Sequence, residues 1–406
     1  MKKLALKLIL AVLLVYGCAE VYRPTVTVKV PAEVMLEIPR EMRGVWVARM
    51  NWASTNPAVM RRQIISIMNR AAKANFNAVF FQVRGQAETL YPSPHEPWSK
   101  LVGARDPGFD PVNLAIEEAH KHGLAFHAYI NFLPMWNEQK PPQPANHLYF
   151  QHGPNVTPEN SWLLFGPDGK PMKMSEYYYM NPALPEVKAY LKKIIRHFVT
   201  AYDVDGIHFD RIRYPGPDYI NDPYSLDQYR RANARSPLAK AEWARRTLTD
   251  LVEDVVSDAK LLKPYLQVSM AAWGMYRTDD LKGYEHFSSG YANYYQDSIG
   301  WLDRGIMDFI VPMIYWDIPD PKPNFDDLWL DFKRRTYNYQ KIFPGMQVDS
   351  GFIENGEITR QVNFVRQNGG RGAVMWSFSA LQRGKSLEII KNAIYPRQVP
   401  PPANIR

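Results

Sequence analysis

The amino-acid sequence predicts an α/β fold, a (β/α)8 TIM barrel with long loops after the third and fourth strands, and three observations carry that expectation. Short strand-like runs alternate with longer helix-like runs, which is the pattern of parallel βαβ units. The alternation can be counted eight times along the 406 residues. An open doubly wound sheet would be expected to show a Gly-rich phosphate turn after its first strand, and "RMNWAST" offers none.

The elements follow in order. "RGVWVAR" from Arg43 leads to a helical stretch over Pro57–Ala74, "AVFFQVRG" from Ala78 to Pro111–His122, and "AFHAYIN" from Ala125 to Pro185–Tyr202. "DGIHFDRIRYP" from Asp205 precedes a helix over Leu238–Leu262, "LQVSMAAW" from Leu266 one over Tyr291–Arg304, and "DFIVPMIYW" from Asp308 one over Phe325–Gln340. "IFPGMQVD" from Ile342 and "GAVMWSFSA" from Gly372 complete the set, with helices near Thr359–Gln367 and Lys385–Ala393. A barrel of this type usually needs about 250 residues. The extra length falls in Phe132–Leu184 and Gly216–Pro237, each following a strand and so placed on the catalytic face; they are read as loops without regular structure of their own.

Strands buried on both faces normally read as continuous apolar runs, so the polar residues inside these strands need a reason. In a closed barrel one parity of each strand faces the axis, and a polar residue there points inward near the mouth. Gln82 and Arg84 share a parity in the second strand, as do His127, Tyr129 and Asn131 in the third and His208 and Asp210 in the fourth. Asp210, at the carboxyl end of its strand, can serve as acid, base or nucleophile, or can instead be tied in a salt bridge to Arg84, Arg211 or Arg213. His208 lies one layer deeper, where a satisfied core histidine is the commoner outcome. Glu88, in the loop after the second strand, and Asp317, after "MIYW", are candidate second carboxylates, with Asp349 ranked below them.

Tyr315 and Trp316, with Trp46, Trp136, Trp273 and Trp376, place aromatic rings at or beyond strand ends. About half are expected to pack the barrel. The rest can stack on the apolar face of a pyranose ring. Carboxylates and aromatics together point to glycoside hydrolysis, which needs one protonated and one ionised carboxyl group. Arg84, Asn131, His208, Tyr315, Trp316, Trp273 and Trp376 are the expected substrate-positioning residues. No His-x-His on the first strand and no His-Glu-x-x-His helix is present, so neither a metal nor a cofactor is expected.

The formal net charge of +8 biases the surface weakly toward anionic partners, because the basic residues are dispersed among acidic ones. No zinc-finger, RNA-binding or basic-zipper pattern accompanies that charge, and nucleic acid is not an expected partner. The amino terminus "MKKLALKLILAVLLVYGC" has early lysines and then an apolar stretch, Leu8–Tyr16, too short to span a bilayer, which reads as an export signal over residues 1–17. Cys18, the sole cysteine, follows a glycine in a context resembling a bacterial lipobox, with Tyr16 bulkier than the small residue usual there. Lipidation at Cys18 would anchor the chain to a membrane surface, and Ala19 after it points to the outer membrane. Residues 18–40 are expected to form an extended tether, 41–396 the barrel and 397–406 a Pro-rich tail.

These segments also carry a family resemblance. "RGVWVARMNW", "FNAVFFQVRGQAETLYPSPHEPWS", "GFDPVNLAIEEAHKHGLAFHAYINF", "YYMNPALPEVKAYLKKIIRHFVTAYDVDGIHFDRIRYP" and "IVPMIYW" resemble the glycosyl hydrolase-like 10 family of bacterial secreted and lipoprotein barrels, from about Glu41 to Ala393. The resemblance implies hydrolysis of a glycan, with some members similar to envelope lipoproteins that cut peptidoglycan strands stripped of their peptides. It puts Asp210 on the family's fourth-strand aspartate and Glu88 where members usually carry an aspartate. Arg211 stands where many members have a second acidic residue, which alters the charge balance beside Asp210. The expectation is therefore an envelope glycoside hydrolase facing the periplasm. A non-catalytic glycan-binding lipoprotein and an envelope scaffold are the alternatives.

Overall fold

In a computed structural model of the chain, the described residues are 40–402 except 175–176, 350, 352, 354 and 384. The chain divides into two units, Met1–Ile38 and Pro39–Arg406. The expected signal segment, Cys18 and almost all of the tether lie outside the described residues. Among the described residues, no helix is long and apolar enough to cross a membrane.

Eight parallel strands form the barrel: β1 (Met42–Val47), β2 (Ala78–Arg84), β3 (Ala125–Asn131), β4 (Gly206–Asp210), β5 (Gln267–Ala272), β6 (Phe309–Pro312), β7 (Gly345–Gln347) and β8 (Gly372–Trp376). Their order around the sheet is β7-β8-β1-β2-β3-β4-β5-β6. The bridges Ile310 to Ile342 and Met313 to Gly345 bring the two ends together. All eight expected strands are present.

The helices start where the chain supplies the chemistry for starting. Pro57, Pro111, Pro185 and Pro223 each open a helix, where the missing N–H and preset φ cost nothing. Asn56, Asp110 and Asp222 cap three of these by accepting backbone N–H groups of the first turn. The helix after β5 is shorter than expected, covering Ser298–Asp303, with a separate turn at Gly290–Asn293 before it. The two long insertions also differ from expectation, because both contain regular structure. Pro134–Trp136, Lys173–Met174 and Tyr177–Tyr179 make a small antiparallel sheet, Leu148–His152 a short helix, and Pro223–Arg235 a longer one.

Parity sorts the strand side chains into two packed layers. Val45, Val47, Val79, Phe81, Val83, Ala128 and Ile130 face the helices within the large outer core. Met42, Trp46, Phe80, Tyr129, Phe309, Val311, Phe343 and Val374 fill the barrel axis as a second cluster. Glycines make room for the largest axial rings: a Cβ on Gly345 would sit 2.7 Å from the Trp46 ring, and one on Gly206 would sit 2.3 Å from His127. The barrel is therefore plugged below its mouth, as a packed core and not a pore.

Candidate active site

The floor of the mouth is aromatic and uncharged. Trp46 Nε1 donates to His208 Nε2 at 3.1 Å, and since an indole nitrogen only donates, Nε2 is the unprotonated atom. His208 Nδ1 then carries the hydrogen and donates to Ser269 Oγ at 2.9 Å. Burial pushes the His208 pKa down to about 3 and that of His127 to about 4, so both imidazoles are neutral. His208 is fully buried among Trp46, Phe80 and Tyr129, and so lies beneath any sugar rather than against it.

Asp210, on the same side of β4, rises one layer above that floor, and its side chain is 14% exposed. Tyr129 Oη donates to its Oδ2 at 2.8 Å, and the backbone N–H of Arg211 donates to Oδ1 at 2.6 Å. Arg213 Nη1 lies 3.5 Å from Oδ1, an ion pair without a hydrogen bond. Burial alone would raise the Asp210 pKa, but the charges of Arg213 and Arg211 and these hydrogen bonds outweigh it and hold the carboxyl below its ordinary value. Asp210 is an ionised carboxylate at neutral pH.

The two arginines do different work. Arg211 has a φ of 54°, in the left-handed region, so the chain turns sharply after Asp210 and aims its N–H back at the carboxylate. Its guanidinium leaves the barrel for the insertion sheet, over the Tyr177 ring at 4.4 Å and on Tyr179 Oη at 3.0 Å. Arg213 stays beside Asp210, with its guanidinium 5.5 Å from the Trp273 ring centre. Trp273 is partly exposed, and its ring packs on Tyr294 at 4.2 Å. Buried Gln296 ties the two loops together, accepting from Trp273 N and donating to Ile212 O.

The second carboxylates differ in access. Asp317 follows β6 and is half-buried; burial and then the charges of Glu357 and Asp320 raise its pKa, and its Oδ1 is buried without a hydrogen bond. Glu88 is 2% exposed, sealed inside the loop after β2, where Ser99 Oγ donates to its Oε2 at 2.9 Å. Burial pushes its pKa up to about 7. Asp349 also lies after its strand and contributes to the field at Asp317.

Two expected contacts are taken up by the scaffold. The β2–β3 register shifts between Gln82 and Arg84, so Arg84 pairs with Ile130 instead of following the inward parity. Its guanidinium is buried against Glu96 and donates to the carbonyls of Asn131 and Phe132. It therefore makes no salt bridge with Asp210. The amide of Asn131 is 2% exposed, donating to Gly85 O and accepting from Gln82. Of the aromatics, Trp46 and Trp136 are buried, while Tyr315, Trp316, Trp273 and Trp376 keep partial exposure. Tyr315 is near enough for Asp210, after burial, to help push its hydroxyl well above the ordinary range.

Sequence reasoning missed Arg49 and gave Tyr129 no role. Tyr129 sits on the inward parity two residues before Asn131, and that signal was available. Arg49 lies in a 3-10 turn after β1, where strand parity no longer applies. It lies flat over Gly85, donates to Gln86 at 3.1 Å, and its charge acts on both Tyr129 and Glu88. Among the described residues there is no cluster of three or more His, Cys, Asp or Glu suited to a metal.

Comparison with known proteins decides the family. The glycosyl hydrolase-like 10 profile matches residues 41–336, well over half of the chain. This chain belongs to the glycosyl hydrolase-like 10 family. Glycosyl hydrolase DigH of Escherichia coli K12 is 28% identical over 371 residues, covering 81% of this chain and 80% of that protein. Glycosyl hydrolase YngK of Bacillus subtilis strain 168 is 30% identical over 369 residues, covering 84% and 69%. Among solved structures, the PgaB (BpsB) glycoside hydrolase domain of Bordetella bronchiseptica matches with a TM-score of 0.65 at 16% identity, over 89% of this chain and 100% of that domain. The β-amylase catalytic domain of Paenibacillus polymyxa matches at 0.61 with 9% identity, over 89% and 100%. These two likenesses establish the barrel fold. This glycosyl hydrolase-like 10 member is a glycoside hydrolase, and its substrate class is a glycan.

Proposed function

We propose that this glycoside hydrolase cleaves a bacterial cell-envelope glycan, with peptide-free peptidoglycan strands as the substrate, using Asp210 as the ionised carboxylate. One observation carries the reading: Asp210 stands at the end of β4, charged, hydrogen-bonded by Tyr129 and flanked by Arg213 under the half-exposed ring of Trp273. A carboxylate so placed can stabilise or capture the oxocarbenium-like centre, and aromatic rings beside it can stack on the sugar.

The protonated partner is assigned to Asp317. Its raised pKa suits an acid, and its half-buried position leaves it within reach of solvent and substrate, whereas Glu88 is sealed in its loop. Arg213, Tyr315 and Trp273 take the positioning role expected of Arg84 and Asn131, whose polar atoms are already satisfied within the protein. The export-signal pattern and the lipobox context of Cys18 support a lipidated protein at the outer membrane, facing the periplasm.

The test is incubation of the protein with intact peptidoglycan and with peptide-free glycan strands, followed by mass spectrometry beside an Asp210→Asn control. New saccharide fragments from the wild type alone are expected, and only from the peptide-free strands. Retention of strands without any fragment would favour the glycan-binding alternative and contradict the assigned role of Asp210.

A further inference from the structure

A second pocket opens on the same side of the barrel as Asp210, built from segments that each follow a strand end. The insertion after β3 supplies His152, Glu159 and Trp162, the first turn of the helix Pro185–Ala201 supplies Glu186, and the loop after β4 supplies Asp222 and Tyr224. Its volume is about 520 Å³, which is room for a monosaccharide unit and its neighbours. Trp162 and His152 stack face to face at 3.8 Å with an 8° angle between their planes, and this aromatic stack forms one wall of the pocket. His152 Nδ1 donates to Asn160 O, which fixes the imidazole in that plane.

The pocket's charge is one-sided. Glu159, Glu186 and Asp222 line it, and no lysine or arginine does. Asp222 is 4% exposed, and its Oδ1 caps the helix Pro223–Arg235 at Ser225 N. Oδ2 is buried with no hydrogen bond, although the Ser225 and Asn181 side chains lie alongside. A buried acceptor left open, in a pocket lined by two further carboxylates, can take a cationic donor. Burial raises the Asp222 pKa despite the hydrogen-bonding groups of Ser225 and Asn181 beside it, and the charge of Asp222 is felt by Lys240, which lies outside the pocket lining.

We propose that this pocket binds an amino-sugar residue of a glycan, with the pyranose face on the Trp162–His152 wall and the protonated amine directed to Asp222, Glu159 and Glu186. The wall selects a ring with an apolar C–H face, and the aromatic surface adds cation–π attraction for an ammonium. The acids discriminate against the N-acetylated form, which keeps the ring and loses the charge. The proposal rests on the glycan reading of the barrel, but the site is separate from Asp210.

Calorimetric titration of the full chain with a glucosamine tetramer tests it. Binding is expected in the wild type and unchanged in Asp210→Asn, and at least tenfold weaker in Trp162→Ala and in the exposed pair Glu159→Gln/Glu186→Gln, which leaves the helix cap intact. The N-acetylglucosamine tetramer is expected to bind at least tenfold more weakly, and a trilysine peptide to show no comparable binding. Absence of binding, binding unmoved by the Glu159/Glu186 pair, or equal affinity for the acetylated tetramer or for trilysine would overturn the proposal. Binding lost only in Asp210→Asn would place the ligand in the barrel mouth and overturn it too. Failure of the barrel reading shows separately, as absence of saccharide fragments with pocket binding retained.

Discussion

The ends of β4 and β6 carry the same residue type with its pKa shifted in opposite directions. Asp210 sits with Arg213, Arg211 and the Tyr129 hydroxyl around it, and it is held ionised. Asp317 sits with Glu357, Asp320 and Asp349 nearby and Arg360 as the cation in its field, and it is pushed toward the neutral form. Neither shift follows from position on the barrel, since both carboxylates come at or just beyond a strand's carboxyl end. What separates them is the sign of the neighbouring charge, and that pair of opposite shifts is what an acid and a charged partner need.

Removing the charged member should break the comparison most. Asp210→Asn is expected to lower glycan cleavage by about 10³-fold or more while leaving thermal unfolding little changed, as followed by fragment release and calorimetry. Asp317→Asn should cost about 10²-fold, and Glu88→Gln far less; the reverse ranking would move the acid to Glu88.

The floor below gives a contrast of its own, because His127 and His208 are neutral in the fold and titrate when unfolded. A histidine whose folded pKa is depressed lets the unfolded chain bind protons first, so stability is lost as the pH falls below the ordinary value of about 6.5. Between pH 7 and pH 5 each should cost on the order of 2 kcal/mol, and the pH slope should shrink in His208→Phe, measured by denaturant unfolding. Arg213→Met should have the smallest effect on turnover, about tenfold, by letting the Asp210 pKa rise. Its distinctive readout is a shift of the acidic limb of the pH profile to higher pH.

Much of this arrangement was legible in the sequence. Eight strands, the placement of the two insertions and the inward parity of Tyr129, His208 and Asp210 came from periodicity, because a two-residue repeat in a closed barrel leaves few choices. Arg84 was misplaced because a register shift is invisible in a single chain, and its partner Glu96 lies in a loop with no periodic signal. The fate of Arg211 depended on a small sheet inside an insertion that had been read as irregular. Asp317 could be named as a candidate carboxylate, but the upward shift of its pKa comes from burial and then from Glu357, forty residues away in sequence and adjacent only through the fold.

The division of labour between Asp210 and Asp317 is tested most directly by the pH dependence of kcat/KM on peptide-free glycan strands, for the wild type and Asp317→Asn. The acidic limb should lie below the ordinary aspartate value of about 3.9, the alkaline limb above it, and the alkaline limb should disappear in Asp317→Asn. An acidic limb at or above that value, or an alkaline limb that survives the substitution, would contradict the assignment.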